Sequence, residues 1–357
     1  MGLARTPEAS NQTSPMRQAV IRSATAFEVI AVSKPTLQSQ DELLLRTAAC
    51  GICSGDLMGW YLERKVNTVL GHEVVGYADE VGSGLPHLQR GQLVFVHHHA
   101  PCMACRFCRT GNHVHCETWR KSRLDPGGMA EYIRVPAVNA REDAFAIDDL
   151  MPEVGAFIEP LACSVKALAR LGERPRQHGV IVGCGVMGLL NIAAARASGT
   201  ELVWAVEPDP LRREFAREFG ADAVFTPGEL GRRVGSSAFE GADYVIVGPG
   251  SPGVIVESLA YVRNGGIVVL FTPTSSDART ALDFCDLYFR EVSLVPSYSC
   301  GPADTRRAYE LLRTGVVNVS PLVTHRFRID QIQQAYETAK RGGPALKVLV
   351  VFEDGPP

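Results

Sequence analysis

Two textures of hydrophobic patterning divide the chain. From about Met16 to Val135 the apolar runs are short, rich in Val and Ile, and broken by Gly, Pro or Asp, as in "RQAVIR", "DELLLRTAAC", "GHEVVGYADEVGSG", "GQLVFVHHH" and "MAEYIRVP". Short runs bounded by turn formers predict an irregular all-β domain of barrel type. Between about Cys163 and Ser299 the runs become continuous: "GVIVGC", "ELVWAVE", "ADYVIVG", "GGIVVLF" and "EVSLVPS" alternate with helical stretches such as "GLLNIAAARASG" and "PLRREFAREFGA". A strand that is apolar throughout must be covered on both faces, so this alternation predicts a parallel, doubly wound sheet. After Cys300, "ADTRRAYELLRTG" and "IDQIQQAYETAKRG" read as amphipathic helices and "ALKVLVVF" as a closing strand. The run "IEPLACSVKALARLG" reads as a helix linking the two domains, with Gly172 near its C-terminal end.

The expected organisation is therefore α/β plus β, with residues 16–163 and 300–357 forming the barrel-type domain and 164–299 the parallel-sheet domain. Residues 1–15, polar and turn-forming, read as a disordered extension ahead of Met16, or as the product of an early start codon. A chain of 357 residues suits about two domains, and 46% hydrophobic residues suffice for a sizeable core. The net charge of −3 is spread along the chain, which argues against a nucleic-acid partner. Neither a membrane span nor a signal peptide is visible, so a cytoplasmic protein is expected. Four of the ten cysteines fall within fifteen residues, a clustering that suggests metal rather than a disulfide scaffold.

That cluster, "PCMACRFCRTGNHVHC", places Cys102, Cys105, Cys108 and Cys116 at C-x2-C-x2-C-x7-C. Four thiolates on one short loop can surround a Zn²⁺ tetrahedrally and leave no open position, which makes the site structural. An iron-sulfur cluster is the rival, although the spacing differs from ferredoxin runs. His113 and His115 inside the loop read as surface residues. A second motif, "GVIVGCGVMGLLNIAAARASG", supplies a strand, then Gly183, Gly185 and Gly188 as G-x-G-x-x-G, then a helix. The first glycine permits the turn, the second lets backbone approach a pyrophosphate, and the third allows close packing of helix on strand. Val186 and Met187 belong to the same turn, and Glu207, nineteen positions after Gly188, ends the next strand where a carboxylate would accept ribose hydroxyls. An anion there favours NAD over NADP. Arg212 and Arg213 temper that preference, as cofactor contacts or as solvated helix residues. Gly248 and Thr272 end later strands on the same sheet edge, where the nicotinamide half is expected.

Taken in order, "GIC-x-x-D", "GHE", the four-cysteine loop, "EP" and G-x-G-x-x-G resemble the zinc-dependent medium-chain dehydrogenases, the superfamily of alcohol, sorbitol and threonine dehydrogenases. The likeness runs from about residue 17 to 353. It implies a GroES-like catalytic domain with an inserted Rossmann domain, an active site in the cleft between them, one catalytic and one structural zinc, and a homo-oligomer, a tetramer before a dimer. By the same resemblance Cys53 and His72 fall on catalytic zinc ligands. Glu73 matches a ligand of the polyol and threonine branches, and Glu159 matches an acidic group that binds the zinc directly or through water. Cys163, one turn beyond Glu159, is a lesser ligand candidate. Asp56 matches the aspartate that orients the metal-bound imidazole. Cys50, Cys184, Cys285 and Cys300 read as packing residues.

The family pattern is broken at the proton relay: a hydroxyl is expected at Gly55 and often a histidine at Met58. Ser54, displaced by one residue, is the substitute candidate, with solvent or Glu159 as the alternative acceptor and a turn-capping role as the bland reading. Trp60, Tyr61, Arg123 and the triplet His97, His98, His99 are candidates for the substrate cleft. On a strand His97 and His99 would share one face, so one histidine would meet substrate and the others solvent. A polar wall beside an acidic zinc site suits a polyol or sugar oxidised with NAD. The alternatives are an amino-alcohol dehydrogenase of threonine type, an NADPH-dependent carbonyl reductase, and a non-catalytic zinc and nucleotide-binding relative.

Overall fold

The structure, a computed structural model, describes residues 15–174, 176–234 and 239–352. The expected N-terminal extension lies outside the described residues except for Pro15, which already begins a strand. An antiparallel hairpin, β1 (Pro15–Ser23) and β2 (Ala26–Ser33), opens the fold. It is followed by β3 (Leu43–Gly51), β4 (Glu73–Val81), β5 (Leu93–Val96), β6 (Tyr132–Val135) and β7 (Ala144–Ala146). The second region contains β8 (His178–Val182), β9 (Leu202–Val206), β10 (Ala223–Phe225), β11 (Ala242–Val247), β12 (Val262–Leu270) and β13 (Ser293–Pro296); the chain then returns through β14 (Val323–Phe327) and β15 (Lys347–Val351).

Strands β8 to β13 form one parallel sheet in the order β10-β9-β8-β11-β12-β13. This is a doubly wound arrangement whose strand order reverses beside β8, the place where such sheets bind ligands at their carboxyl ends. The other sheet has seven strands, with β14 and β15 joined to β3, so the C-terminal strands complete the sheet that the N-terminal region began. The closing strand expected from "ALKVLVVF" is β15. Strands β7 and β10 escaped the pattern because each has three residues, too few to show a period.

The helix Ile158–Ala169 is buried along most of its length, with Leu161, Ala162, Ala167 and Leu168 all at 3% exposure or less. Its neighbours include Val75 and Phe157 from the first region and Ile181 and Leu189 from the second, in one continuous apolar cluster. Gly172 has φ +66°, a left-handed turn that suits glycine and redirects the chain. Among the described residues no helix is long and apolar enough to cross a membrane.

Candidate active site

Strand register builds the centre of the site. In the antiparallel pair β3/β4, Gly51 stands opposite Glu73, so Cys53 just beyond one strand and His72 just before the other emerge side by side. A Cβ on Gly51 would lie 2.0 Å from Glu73 Oε2, so only glycine leaves room for that carboxylate. Leu349 of β15 also pairs with Gly51, which carries Lys347 to the level of Cys53. The metal-ligating atoms of Cys53, His72 and Glu73 all lie within 4.8 Å of one another. Cys53 Sγ accepts a hydrogen bond from the Gly55 amide at 3.3 Å.

The surrounding charges identify what this trio can hold. Lys347 Nζ donates to Glu73 Oε2 at 2.6 Å, with both side chains buried. Glu73 Oε1 is buried without a hydrogen-bond partner, as is Asp56 Oδ2, which sits 3.4 Å from His72 Nδ1. Burial raises the carboxyl pKa of Asp56 and of Glu159. Burial opposes the charged form of His72, but Asp56, Cys53 and Glu159 outweigh it and hold its pKa well above the ordinary value. A thiol, an imidazole and two carboxylates with orphaned oxygens, facing one lysine, fit a divalent cation with Cys/His/carboxylate ligation. Lys347 was missed in the sequence, although a lysine inside the apolar strand "ALKVLVVF" is itself the signal of a buried partner.

Glu159 and Cys163 line the same cavity of about 600 Å³ as Cys53 and His72. The Glu159 carboxylate, however, groups with His97 and Cys300, again within 4.8 Å, and Cys163 Sγ donates to its Oε1 at 3.6 Å. His97 corrects the expectation for the histidine triplet. Strand β5 ends at Val96, so face alternation does not apply beyond it, and His97 is fully buried rather than solvated. Its Nδ1 lies 2.9 Å from Asp143 Oδ2, its carbonyl accepts from Asn139 Nδ2 at 2.9 Å, and Cys300 Sγ is 3.5 Å from its Nε2. Thr305 in turn donates to Asp143 at 2.6 Å. These partners come from distant segments, and no local motif announces them. His98 and His99 line the cavity with Trp60, Tyr61 and Arg123. The His98 ring lies tilted against those of His72 and His99, with centroids 4.9 Å and 4.3 Å apart. Burial, reinforced by the neighbouring histidines and Arg123, keeps His98 neutral; burial likewise lowers His99 to about 3.

In the four-cysteine loop the ligand atoms also lie within 4.8 Å of one another, and backbone amides of Cys102 and Cys105 donate to Cys116 and Cys102 sulfurs at 3.4 Å. Burial opposes the Cys116 thiolate, yet amides of Cys102 and Trp119 bring its pKa to about 6. The loop fits a closed tetrahedral zinc. His115 is exposed, whereas His113 packs against Gly301. Cys50, Cys184 and Cys300 are buried, but Cys285 is exposed on the helix Phe284–Phe289, contrary to its reading as a packing residue.

A second cavity, a groove of about 560 Å³, runs along the carboxyl ends of the parallel strands. Gly183, Gly185, Val186, Met187, Gly188, Glu207, Arg212, Gly248 and Thr272 all lie on its wall. Gly183 turns with φ +86°, and a Cβ on Gly188 would sit 1.8 Å from the Gly183 carbonyl oxygen, so the third glycine is set by packing. A Cβ on Gly185 would meet nothing within 4 Å; that open space lies at the N-terminus of the helix Val186–Ala197, a fitting place for a pyrophosphate. Glu207 accepts from the amides of Cys184 at 2.7 Å and Asp209 at 2.9 Å, which ties the glycine turn to the end of β9. Arg213 donates to the Glu207 and Pro208 carbonyls, while Arg212 borders the groove with its Nε buried and unpartnered. Lys340, not singled out in the sequence, borders the groove as well. Ser54, Met187 and Thr272 line both cavities, which therefore meet.

Two family models match the chain: the alcohol dehydrogenase GroES-like domain over residues 39–142 and the zinc-binding dehydrogenase domain over 186–314. The L-threonine 3-dehydrogenase of Pyrococcus abyssi is 30% identical, across 91% of this chain and 95% of that protein. The sorbitol dehydrogenase of Bacillus subtilis is 29% identical, across 94% and 97%. Among solved structures, a zinc-binding dehydrogenase from Sinorhizobium meliloti bound to NADP superposes with a TM-score of 0.84 at 28% identity, covering 95% of this chain and 100% of the other.

Proposed function

Because the chain belongs to the zinc-dependent medium-chain dehydrogenases, we propose that it transfers hydride between a polar secondary alcohol of the polyol or sugar type and NAD. One observation carries the reading: the cofactor groove opens, across Ser54, Met187 and Thr272, into the space beside Cys53 and His72. When bound, zinc supplies the Lewis acidity that lets an alcohol release its proton near neutral pH, and the nicotinamide supplies the hydride acceptor. Cys53, His72 and a carboxylate, Glu73 or Glu159, are the residues to hold the catalytic metal; the four-cysteine loop is the site for the structural one. Asp56 orients the His72 imidazole.

In this reading the Ser54 hydroxyl relays the alcohol's proton, accepting it on its oxygen while its own proton passes to solvent. Ser54 is exposed and borders both cavities, and its hydroxyl makes no hydrogen bond among the described residues, which speaks against a mere turn-capping role. Ser54→Ala is expected to lower kcat by about a hundredfold, and unchanged turnover and pH profile would transfer the role to Glu159 or water. The Glu207 carboxylate supports NAD, while Arg212 and Lys340 are the reason to assay NADP⁺ in parallel.

The deciding experiment measures reduced-cofactor formation by zinc-replete protein on polyols, sugars, L-threonine and simple alcohols, with NAD⁺ and with NADP⁺. Silence on every polar alcohol would overturn the substrate reading, and one zinc per chain instead of two would favour a non-catalytic relative. We also infer a homo-oligomer, a tetramer before a dimer. Its support is the helix Phe284–Phe289, which exposes Phe284, Tyr288 and Phe289 at 75%, 77% and 77%, just ahead of β13 at the edge of the parallel sheet. Sedimentation of Phe289→Asp tests it, with a smaller species expected. A reducing, cytoplasmic compartment suits ten cysteines that are all unbridged.

A further inference from the structure

The substrate cavity carries positive charge that the dehydrogenase chemistry does not use. Lys65, in the short turn Glu63–Lys65, and Arg123, in "SRLDPGG", come from segments far apart in sequence and line the same cavity. Lys65 is half-buried, and its ammonium pKa is pushed down first by burial and then by the Arg123 guanidinium. Among the described residues neither side chain has an ion-pair partner. Lys65 Nζ sits 5.1 Å from the Tyr61 ring centroid, and Arg123 Nη1 donates only to the Ser122 carbonyl at 3.3 Å. Asp56 attracts Lys65 without pairing with it, and the acidic groups of the cavity sit against other side chains: Asp56 beside His72, Glu73 with Lys347, and Glu159 with Cys163. Two like charges over one cavity, neither of them in an ion pair, repel each other, and an anion entering there relieves that repulsion.

The neutral part of the wall points to the rest of the ligand. His98 Nδ1 is buried without a partner, so it is left to meet a hydroxyl of whatever fills the cavity. His99 Nδ1 is taken up by the Ser122 carbonyl at 2.7 Å, which leaves Nε2 as an acceptor.

We propose that the substrate is an anionic polyol: a hydroxylated chain whose secondary alcohol reacts beside Cys53 and His72 and whose terminal carboxylate or phosphate is held by Lys65 and Arg123. This rests on the dehydrogenase reading above and adds the charged terminus to it. Lysine meets either anion as a point charge, and arginine grips either with paired donors, so the two oxyanions share one recognition chemistry.

The test compares D-sorbitol, D-gluconate and sorbitol 6-phosphate as substrates of the zinc-loaded enzyme, in wild type, Lys65→Met and Arg123→Gln. An anionic compound is expected to exceed sorbitol in kcat/KM by about tenfold or more, carried mainly by KM, and each variant to shrink that ratio by about five- to tenfold. Which anion is preferred separates the carboxylate from the phosphate. Calorimetric titration of the same compounds into the zinc- and NADH-loaded protein reads the anion site without turnover, with binding weakened by added salt and by either variant. Oxidation of sorbitol as good as that of both anions, or an equal effect of the variants on all three, would overturn the proposal and leave the dehydrogenase reading intact. Salt-sensitive anion binding without turnover of any alcohol would do the reverse: the anion site would stand and the dehydrogenase reading would fall.

Discussion

Replacing Lys347 by methionine tests the central electrostatic claim. Lys347 Nζ and Glu73 Oε2 are 2.6 Å apart, with side-chain exposures of 4% and 1%. Methionine keeps the length of the stem, whose head lies 5.7 Å from the Phe157 ring centroid, and removes the charge together with its donors to Glu73 and to the Ile52 carbonyl. Glu73 is then a buried carboxylate with no cation, in a cluster that already contains Asp56 and Glu159. Breaking a buried pair from one side costs about 3–5 kcal/mol, whereas replacing both partners by neutral groups is close to neutral. Lys347→Met is therefore expected to destabilise the zinc-depleted protein by about 3–5 kcal/mol, and Glu73→Gln/Lys347→Met to recover most of that loss. Burial opposes the Lys347 ammonium, but Glu73 and Cys53 outweigh it and raise its pKa. Its contribution is thus fully present below about pH 10.4, the unfolded value, and is lost only as pH climbs through the folded value, so a neutral assay reads all of it. The assay is urea unfolding followed by tryptophan fluorescence, with Trp60 and Trp119 reporting one region and Trp204 the other. Added zinc should narrow the gap between wild type and Lys347→Met, because a second cation then faces Glu73. A single variant within about 1 kcal/mol of wild type, or a double variant no better than the single, would refute the reasoning.

Three further predictions concern other parts of the molecule. Gly185→Ala should leave thermal stability unchanged yet raise KM for the dinucleotide by about tenfold or more, since its Cβ enters open groove; Gly188→Ala should cost about 1–3 kcal/mol of stability, since its Cβ lands 1.8 Å from a carbonyl oxygen. Unfolding curves and cofactor titrations separate the two. His99 is held neutral with a pKa near 3, so the stability it contributes is full above about pH 6.5 and is lost as pH falls; at pH 5, His99→Gln should be less acid-sensitive than wild type by up to about 2 kcal/mol. On the two-zinc reading proposed above, Cys105→Ser should lower the zinc content by one per chain in metal analysis. It should also shift the emission of Trp119, which is packed with Cys108, Val114 and Cys116.

Much of the fold was legible because its signals are local. Unbroken apolar strands separated by amphipathic helices have one economical packing, and β8, β9, β11, β12 and β13 lie where those runs occur. The glycine turn and the four-cysteine loop were equally readable, since each gathers its working groups within a few residues of chain. The histidine triplet was misread for the converse reason. The strand ends one residue before it, and His97 is claimed by Asp143 and Cys300 from distant segments.

The one-dimensional pattern was enough to establish the two sheet types, the places where thiols and glycines concentrate, and the family that such an order of motifs resembles. Partnership was decided in three dimensions. Glu73 meets Lys347 across 274 residues, Lys65 and Arg123 line one cavity without an ion pair among the described residues, and the cofactor groove joins the substrate cavity at Ser54. Charge pairing and desolvation act through space and weaken with distance. Spacing along the chain reveals which chemical groups are available; the fold determines which of them are paired and which are left to bind.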